Sequence, residues 1–269
     1  MDFESLTPQL HSDDPQARLL GLALLKENNQ PMTLPSELIA GIIACLGHNT
    51  KAIQRAAAGQ LVRFSPMQPE IIDQLGQKLT DPDQRMRWTA AFALSQLPVP
   101  TPLALSVLPV LIENLGHEES DLRWAAATAV LRLAAHHPAV IPEMLSLASA
   151  GNAVQRRMAL YCLRDAPQAK TGAPRVAVIS LSDADPGVRL AGLSCLGKHK
   201  RAVPEAESRL VQLLESDPDI GVRRATAVTL GQLGIASPTV LEALQQAVQG
   251  GDSSLSKAAT GALKKLQKN

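Results

Sequence analysis

Apolar and small residues recur along this chain at the spacing of one face of an α-helix. In the clearest segment, Met86 to Leu94, Arg87 follows an apolar residue and precedes a run of small residues that ends in leucine. With this arginine counted as position 0, apolar or small residues fall at −1, +3, +6 and +7, and a rotation of about 100° per residue gathers them on one side of a helix. The segment from Val222 to Leu230 has the same order of residue types. Each copy of this motif predicts one amphipathic helix.

The motif recurs eight times at a nearly constant interval. Five copies keep the arginine at position 0, whereas Gln54, Gln155 and Ser256 replace it in the other three. Neighbouring copies are 32 to 36 residues apart, with position 0 at residues 18, 54, 87, 123, 155, 189, 223 and 256. A steady period of this length indicates a protein built from stacked repeats.

Each motif is predicted to form the second helix of a pair. The turns before it are rich in aspartate, serine, proline and glycine, which are typical of helix caps and turns. A first helix is predicted before each turn, for example over Pro35–Leu46, Pro69–Leu79, Pro102–Leu115, Pro204–Glu215 and Ser237–Gln249. Because one helix pair cannot bury its apolar face alone, the pairs must stack. The prediction is an all-α fold, an α-solenoid of about eight helical hairpins in a single domain over residues 1–269; whether the first and last repeats are complete pairs stays open.

These repeats resemble the HEAT-repeat family, and especially its short repeats of the bilin-lyase type. The resemblance rests on the Asp-Pro-Asp turns, the Val-Arg pairs and the alanine-rich runs that end in leucine, and it covers essentially the whole chain. Because the family serves many tasks, the resemblance indicates the fold far better than the function. In HEAT proteins the repeated arginine commonly bonds to an aspartate of an adjacent turn and so forms a ladder. The replacements at Gln54, Gln155 and Ser256 lead us to expect an interrupted ladder here.

Composition supports a helical protein and disfavours several other classes. Apolar residues make up 45% of the chain, aromatic residues only 2%, and the net charge is +1, which argues against an all-β fold and against disorder. We find no apolar run long enough to span a bilayer and no secretory signal, so we expect a cytoplasmic protein with no membrane partner. Residues 1–135 carry a net charge of −4 and residues 136–269 one of +5. This asymmetry is too small to favour nucleic-acid binding.

The sequence shows no recognisable catalytic, metal or cofactor site. Glycine-rich nucleotide-binding loops are missing. The cysteines Cys45, Cys162 and Cys195 lie inside apolar helical patterns, so we expect neither a disulfide nor a zinc site. His117-Glu118 lacks the second histidine of a zinc-protease motif. We therefore expect no catalytic residue, no metal and no cofactor; the balance favours a protein without enzymatic activity, and the question stays open.

A candidate binding surface follows from the helical wheel. In a solenoid of this kind the second helices line the concave face, and their positions +1 and +5 point away from the core. Trp88 and Trp124 both occupy position +1, and Phe92 lies at +5 beside Trp88. The complete predicted surface consists of Arg55, Trp88, Phe92, Trp124, Arg156, Leu160, Arg224 and Lys257. Tryptophan and arginine are enriched in binding hot spots; the alternative is that the indoles pack on neighbouring helices and fill the groove.

Three functional hypotheses fit these features. The first is a non-enzymatic scaffold or adaptor that binds a protein or peptide partner, with acidic partners drawn to the arginines and lysine of the surface. The second, implied by the resemblance alone, is a bilin-lyase-like chromophore chaperone, in which arginines would pair with propionates and indoles would stack on the rings. The third and least favoured is nucleic-acid binding. A DNA glycosylase is disfavoured because positions +1, +5 and +8 hold no carboxylate. The sequence does not decide the oligomeric state.

Overall fold

The chain folds entirely into helix pairs wherever its structure is described. The computed structural model describes residues 3–27, 33–200 and 205–267. Across these ranges the chain forms sixteen α-helices and three single-turn 3-10 helices, and no strand. Consecutive helices contact each other in pairs and give eight repeats, so the all-α class and the repeat number are confirmed. The first and last repeats are complete pairs.

The helices fall into two compact units, Met1–His137 and Pro138–Asn269. The amino-terminal unit holds α1 (Phe3–His11), α2 (Pro15–Glu27), α3 (Ser36–Ala44), α4 (Lys51–Phe64), α5 (Glu70–Gln77), α6 (Gln84–Leu94), α7 (Thr101–Leu115) and α8 (Ser120–His136). The carboxy-terminal unit holds α9 (Val140–Ala150), α10 (Ala153–Asp165), α11 (Ala173–Ser180), α12 (Pro186–His199), α13 (Ala206–Ser216), α14 (Ile220–Leu233), α15 (Pro238–Gln249) and α16 (Ser253–Leu266). Odd-numbered helices are the first of their repeats, and even-numbered helices are the second. A single domain over residues 1–269 stays a prediction.

The first helices lie close to their predicted positions, with small differences at their ends. The segment predicted as Pro35–Leu46 forms α3 and then the 3-10 turn Cys45–Gly47, and α5 is extended in the same way by Lys78–Thr80. A 3-10 turn often ends an α-helix because it satisfies carbonyls of the last turn. The predicted start of a helix at Pro204 lies outside the described residues.

Aspartate side chains start the second helices, as the acidic turns predict. Asp185, Asp219 and Asp252 each accept a hydrogen bond from the backbone N–H three residues later, and Asp83 accepts one from two residues later. Such caps satisfy amides that have no partner inside the helix and each contribute about 1 kcal/mol. In these four repeats the acidic turn is therefore a local signal that places the helix start.

The cap of α10 corrects the register of the fifth repeat. Asn152 caps this helix in a capping box, because Gln155 returns a hydrogen bond to the Asn152 backbone. In the other second helices position 0 lies four residues after the cap, and the same count in α10 reaches Arg156. The sequence-based assignment of Gln155 to position 0 is therefore wrong by one residue. Gln155 is part of the helix cap, and the repeat interval around it becomes 33 residues on both sides.

The hydrophobic core lies between the first and second helices of each unit. Leucines at position +7 of six second helices are fully buried: Leu25, Leu61, Leu94, Leu163, Leu196 and Leu230. Burial of each such side chain contributes about 1.5–3 kcal/mol. In the carboxy-terminal unit each second helix packs along the next, and these helices contact one another more extensively than the first helices do. The more closely packed layer lies on the inner side of a curved stack, so the second helices form the inner layer of this unit.

Candidate binding cleft

The side chain at position 0 forms a hydrogen bond with the turn of its own repeat. In six repeats its side chain donates a hydrogen bond of 2.5 to 3.0 Å to a carbonyl five or six residues earlier: Arg18 to Ser12, Gln54 to His48, Arg87 to Asp81, Arg123 to His117, Arg156 to Gly151 and Arg189 to Asp183. Leaving a buried carbonyl without a partner costs about 1–3 kcal/mol. The repeated arginine is thus a structural residue, and the contact of Gln54 shows that a neutral amide can replace it.

In the carboxy-terminal unit position 0 also links neighbouring repeats. Arg156 donates from Nε and Nη2 to the two carboxylate oxygens of Asp183, at 2.7 Å each. In the next repeat Arg189 Nη2 donates to Asp217 at 2.8 Å, and its Nε lies 2.8 Å from the other oxygen without the alignment of a hydrogen bond. The ladder therefore runs without a break from α10 to the start of α14. The interruption that we expected in the fifth repeat does not occur.

These contacts keep Asp183 ionised. Burial alone would raise the pKa of its carboxyl, but hydrogen bonds from Arg156 and from the Asp185 backbone, together with the charges of Arg156 and Arg189, lower the pKa below its usual value. The hydrogen bond to Asp183 in turn raises the pKa of the Arg156 guanidinium. Arg156 is therefore committed to the ladder. Its prediction as part of an open binding surface followed from the wrong register.

Leu160 is also not a surface residue. Its side chain has no exposed area. In the corrected register it occupies +4 rather than +5, and a shift of one residue rotates a side chain by about 100° around the helix. Tyr161 takes the +5 position and is partly exposed, with the Arg164 guanidinium 5.0 Å from its ring centre. The expectation that Leu160 faces a partner is wrong.

A cleft opens in the amino-terminal unit between α4, α6 and α8. Its volume is about 330 Å³. In this unit α2 packs on α4 and α4 on α6, whereas α6 and α8 do not pack closely, so the space beside α6 stays unfilled. Arg55, Trp88 and Phe92, three of the predicted binding residues, line this cleft.

Two aromatic rings form the apolar wall of the cleft. The ring centres of Trp88 and Phe92 are 5.6 Å apart and the planes are tilted by 41°, a separation typical of favourable aromatic pairs. The Arg132 guanidinium lies 5.6 Å from the Phe92 ring centre, on the side contributed by α8. Both rings are partly buried, and both line the cleft.

Charged residues at the helix starts form the polar wall. Lys51 Nζ lies 2.7 Å from Glu119 Oε2, which joins the start of α4 to the turn before α8. The hydrogen bond from Lys51 is the main cause that lowers the pKa of Glu119. The Glu119 backbone N–H donates to Nδ1 of His117 at 3.0 Å. Arg85 and Asp121 complete this wall.

The sequence reasoning missed these charged residues because the predicted surface was drawn from positions +1 and +5 alone. Arg85 and Asp121 both occupy position −2, three residues before +1 and seven before +5. Residues three and seven apart share a helix face, so the same wheel extended by one turn would have included them.

Comparison with protein families identifies the repeats. The family model for HEAT repeats matches residues 39–130 and 173–264, which together exceed half of the chain. The chain belongs to the HEAT-repeat family. This match confirms the membership that its turns, Val-Arg pairs and alanine-rich runs predict.

Solved structures of other helical repeat proteins share the fold. YibA of E. coli aligns with a TM-score of 0.54 at 14% identity, over 96% of this HEAT protein and 98% of YibA. Kap95p, in a structure with RanGDP, gives a TM-score of 0.67 at 14% identity, over 97% of this chain and 40% of Kap95p. Kap121p bound to Ste12p gives a TM-score of 0.60 at 13% identity, over 97% of this chain and 32% of Kap121p. The chain thus spans less than half of Kap95p or of Kap121p, and these identities show a common fold alone. No curated protein matches the sequence significantly.

The other predicted binding residues of this HEAT protein are not among those that line the cleft. Trp124 is on α8 and 48% exposed, but it is not among the residues that line the cleft. Arg224 and Lys257 are exposed on α14 and α16 of the other unit, and Arg224 Nη1 donates to Ser254 Oγ at 3.3 Å. Of the eight predicted residues, three meet in the cleft, Trp124 lies elsewhere on α8, Arg224 and Lys257 belong to the carboxy-terminal unit, Arg156 belongs to the ladder and Leu160 is buried.

The described HEAT repeats offer little other chemistry. Burial raises the pKa of Cys162 and of Cys195 to about 12, which keeps both thiols protonated and poorly reactive. Within the described ranges, no group of three or more histidine, cysteine, aspartate or glutamate residues is placed to hold a metal ion. Across the same ranges we find no helix that is both long and apolar enough to cross a bilayer.

Proposed function

We propose that this HEAT protein is a non-enzymatic interaction scaffold that binds a segment of a partner protein in the cleft between α4, α6 and α8. The observation that carries this proposal is the meeting of Trp88, Phe92 and Arg55 around one unfilled space. Aromatic and arginine side chains in such pockets dominate the energy of many interfaces, at about 2 kcal/mol or more for each hot-spot residue. Proteins of similar fold in complex with RanGDP and with Ste12p support a protein partner.

The charges around the cleft favour a segment that carries a carboxylate. Lys51 and Glu119 neutralise each other. Arg55 and Arg85 then exceed Asp121 by one charge. We expect an apolar side chain of the partner to lie against the aromatic pair and a carboxylate to meet Arg55. The presence of Glu119 and Asp121 argues against the phosphates of a nucleic acid in this place.

The two tryptophans provide a matched pair of variants. Candidate partners are captured from an extract on the wild-type protein, and one identified by mass spectrometry is purified for calorimetry. Trp88→Ala is expected to weaken its binding at least about tenfold, whereas Trp124→Ala changes binding less than about twofold. The cleft assignment fails if Trp124→Ala alone causes the loss, and the scaffold proposal fails if no purified protein binds the folded wild type.

Fluorescence locates the binding event independently. The chain has two tryptophans, so Trp124→Phe leaves Trp88 as the single reporter in the cleft and Trp88→Phe leaves only Trp124. Partner binding is expected to shift the emission of the first variant and to leave the second nearly unchanged. The bilin hypothesis is tested in the same way, because a bilin bound between Arg55 and the rings would quench Trp88 and change its own visible absorbance. Quenching by bilin, without a response to protein partners, would favour the chaperone instead.

A further inference from the structure

Charge is separated between the two helix layers of the carboxy-terminal unit. Its second helices, α10, α12, α14 and α16, contain ten lysines and arginines and one acidic residue, Asp165. Its first helices, α9, α11, α13 and α15, contain two arginines and four glutamates. A stack that needed only solubility would mix both signs on each layer, so the basic inner layer requires a separate explanation.

Four of these ten cations contact a carboxylate or donate to a backbone carbonyl within the fold. Arg156 and Arg189 form the ladder, Arg164 pairs with Asp165 at 2.7 Å, and Arg223 donates to the Leu214 carbonyl. The remaining six are Arg157, Lys198, Arg224, Lys257, Lys264 and Lys265, of which Arg224 donates one hydrogen bond to the neutral Ser254 hydroxyl. Among the described residues none of these six has a carboxylate within the 4.0 Å of an ion pair.

Helix dipoles explain only half of this set. Lys198, Lys264 and Lys265 lie in the last turns of α12 and α16, where a cation is favourable. Arg157, Arg224 and Lys257 occupy position +1, five residues after the cap, where the positive end of the helix gives a cation no such benefit. This row repeats on three of the four second helices, so it adds mutual repulsion that the fold alone does not require.

We propose that the second-helix face of the carboxy-terminal unit, built around Arg157, Arg224 and Lys257, binds an acidic polypeptide segment. This inference rests on the proposed scaffold function and specifies the charge of the partner.

The spacing of the cations suits a polypeptide better than a nucleic acid. Packed helices are about 8–10 Å apart, so Arg224 and Lys257 on neighbouring helices are separated by roughly one such interval, and Arg157 and Arg224, with α12 between them, by roughly two. Duplex DNA presents a negative charge about every 1.7 Å, whereas same-face side chains of an extended polypeptide repeat about every 7 Å, within reach of flexible arginine and lysine side chains.

The aromatic content of the carboxy-terminal unit also favours a polypeptide over a nucleic acid. Single-stranded nucleic acids are commonly bound by stacking bases on aromatic rings. Tyr161 is the one aromatic residue between Pro138 and Asn269, and the Arg164 guanidinium lies 5.0 Å from its ring centre. The face therefore lacks an open stacking platform.

The test uses the chain of residues 1–269 and fluorescently labelled poly-L-glutamate as the probe, with affinity measured by anisotropy over a range of salt concentrations. Arg224→Gln with Lys257→Gln is expected to weaken binding about five- to tenfold at low salt and to reduce the salt dependence. The matched control is Arg175→Gln with Arg209→Gln, which removes the same charge from exposed positions of the first helices α11 and α13; it should change affinity less than about twofold.

Three outcomes would overturn the inference. Equal losses in both double variants would show an effect of net charge rather than of this face. Absence of poly-L-glutamate binding at low salt would contradict the binding of an acidic polypeptide. Binding of oligo-dT or of phosphatidylserine vesicles in preference to the polypeptide, with sensitivity to Arg224 and Lys257, would assign the face to nucleic acid or membrane. The calorimetric comparison of Trp88→Ala with Trp124→Ala reports on the cleft by itself, so failure of this inference is distinguishable from failure of the proposed function.

Discussion

Replacement of the neighbouring residues Arg156 and Arg157 is expected to affect the stability of the protein to very different extents. Arg156→Gln removes the bidentate contact with Asp183 and weakens the contact with the Gly151 carbonyl, which lies 2.8 Å from Nη1. Arg157→Gln removes a charge that has no carboxylate partner among the described residues. The register deduced from sequence alone predicts the reverse, with residue 156 on the open surface.

The magnitude follows from the environment of the ion pair. Breaking a fully buried pair by removing one partner costs about 3–5 kcal/mol. The Arg156 and Asp183 side chains are 23% and 12% exposed, and Asp183 keeps a hydrogen bond from the Asp185 backbone at 2.9 Å. We therefore expect Arg156→Gln to lower the free energy of unfolding by about 2–3 kcal/mol. Arg157→Gln should change it by less than about 0.5 kcal/mol, as is usual for surface substitutions.

Urea titration followed by far-ultraviolet circular dichroism measures both values. The midpoint of Arg156→Gln should fall by about 1 M at an unchanged slope. Asp183→Asn and the double variant Arg156→Gln/Asp183→Asn complete a cycle that isolates the pairwise energy from other effects of each substitution. The assigned register is refuted if Arg157→Gln destabilises the protein more than Arg156→Gln does, or if the cycle gives no coupling.

Three further measurements test other parts of the structure. The pKa of Asp183 is lower in the folded protein than in the unfolded chain. Its contribution to the free energy of unfolding is therefore complete above the unfolded pKa of about 4 and is lost as pH falls through the folded pKa. Urea midpoints measured from pH 6 to pH 2 should show this loss of stability, and Asp183→Asn should make the loss smaller. Gly231→Ala should destabilise the protein by about 1–3 kcal/mol, because its new Cβ would lie 2.8 Å from a backbone atom of α16. Gly59→Ala, with no neighbour within 4 Å of its Cβ, should instead stabilise the protein by up to about 1 kcal/mol. Similar thermal midpoints for the two variants would contradict the close helix contact at Gly231. Iodoacetamide at pH 8 should label Cys162 and Cys195 only after unfolding in urea, as counted by mass spectrometry, because burial keeps both as thiols; rapid labelling of the native protein would contradict their burial.

Local signals explain why the fold could be predicted from the sequence. Side-chain caps such as Asp185 and Asp219 start most of the second helices, and in six of them a leucine seven residues after position 0 is buried against the partner helix. Both signals act over a few residues and recur with the period, so the sequence carries each of them several times. The fifth repeat was misaligned because matching residue types ignored the cap: Asn152 fixes the start of α10, and that start brings Arg156 to the ladder.

The candidate site depends on contacts that a helical wheel does not contain. The wheel places Trp88 and Trp124 at equivalent positions, but only Trp88 lines the cleft, because α6 and α8 do not pack along each other as α4 and α6 do. The ion pair of Lys51 with Glu119 joins residues two repeats apart in sequence. Such a contact requires knowledge of how successive pairs stack, which the period alone does not give.

The corrected register separates two classes of arginine in this chain. Second helices contain nineteen lysines and arginines and three acidic residues over both units, against two and nine in the first helices. Six of these arginines occupy position 0, where contacts with turn carbonyls and carboxylates use them. The basic residue at the next position, as in Arg55, Arg157, Arg224 and Lys257, does not fasten the turn of its own repeat. Arginines one residue apart in sequence therefore have different roles: the arginine at position 0 stabilises the repeat, and the basic residue at +1 is available to bind a partner. Counting residues from the helix cap distinguishes the two.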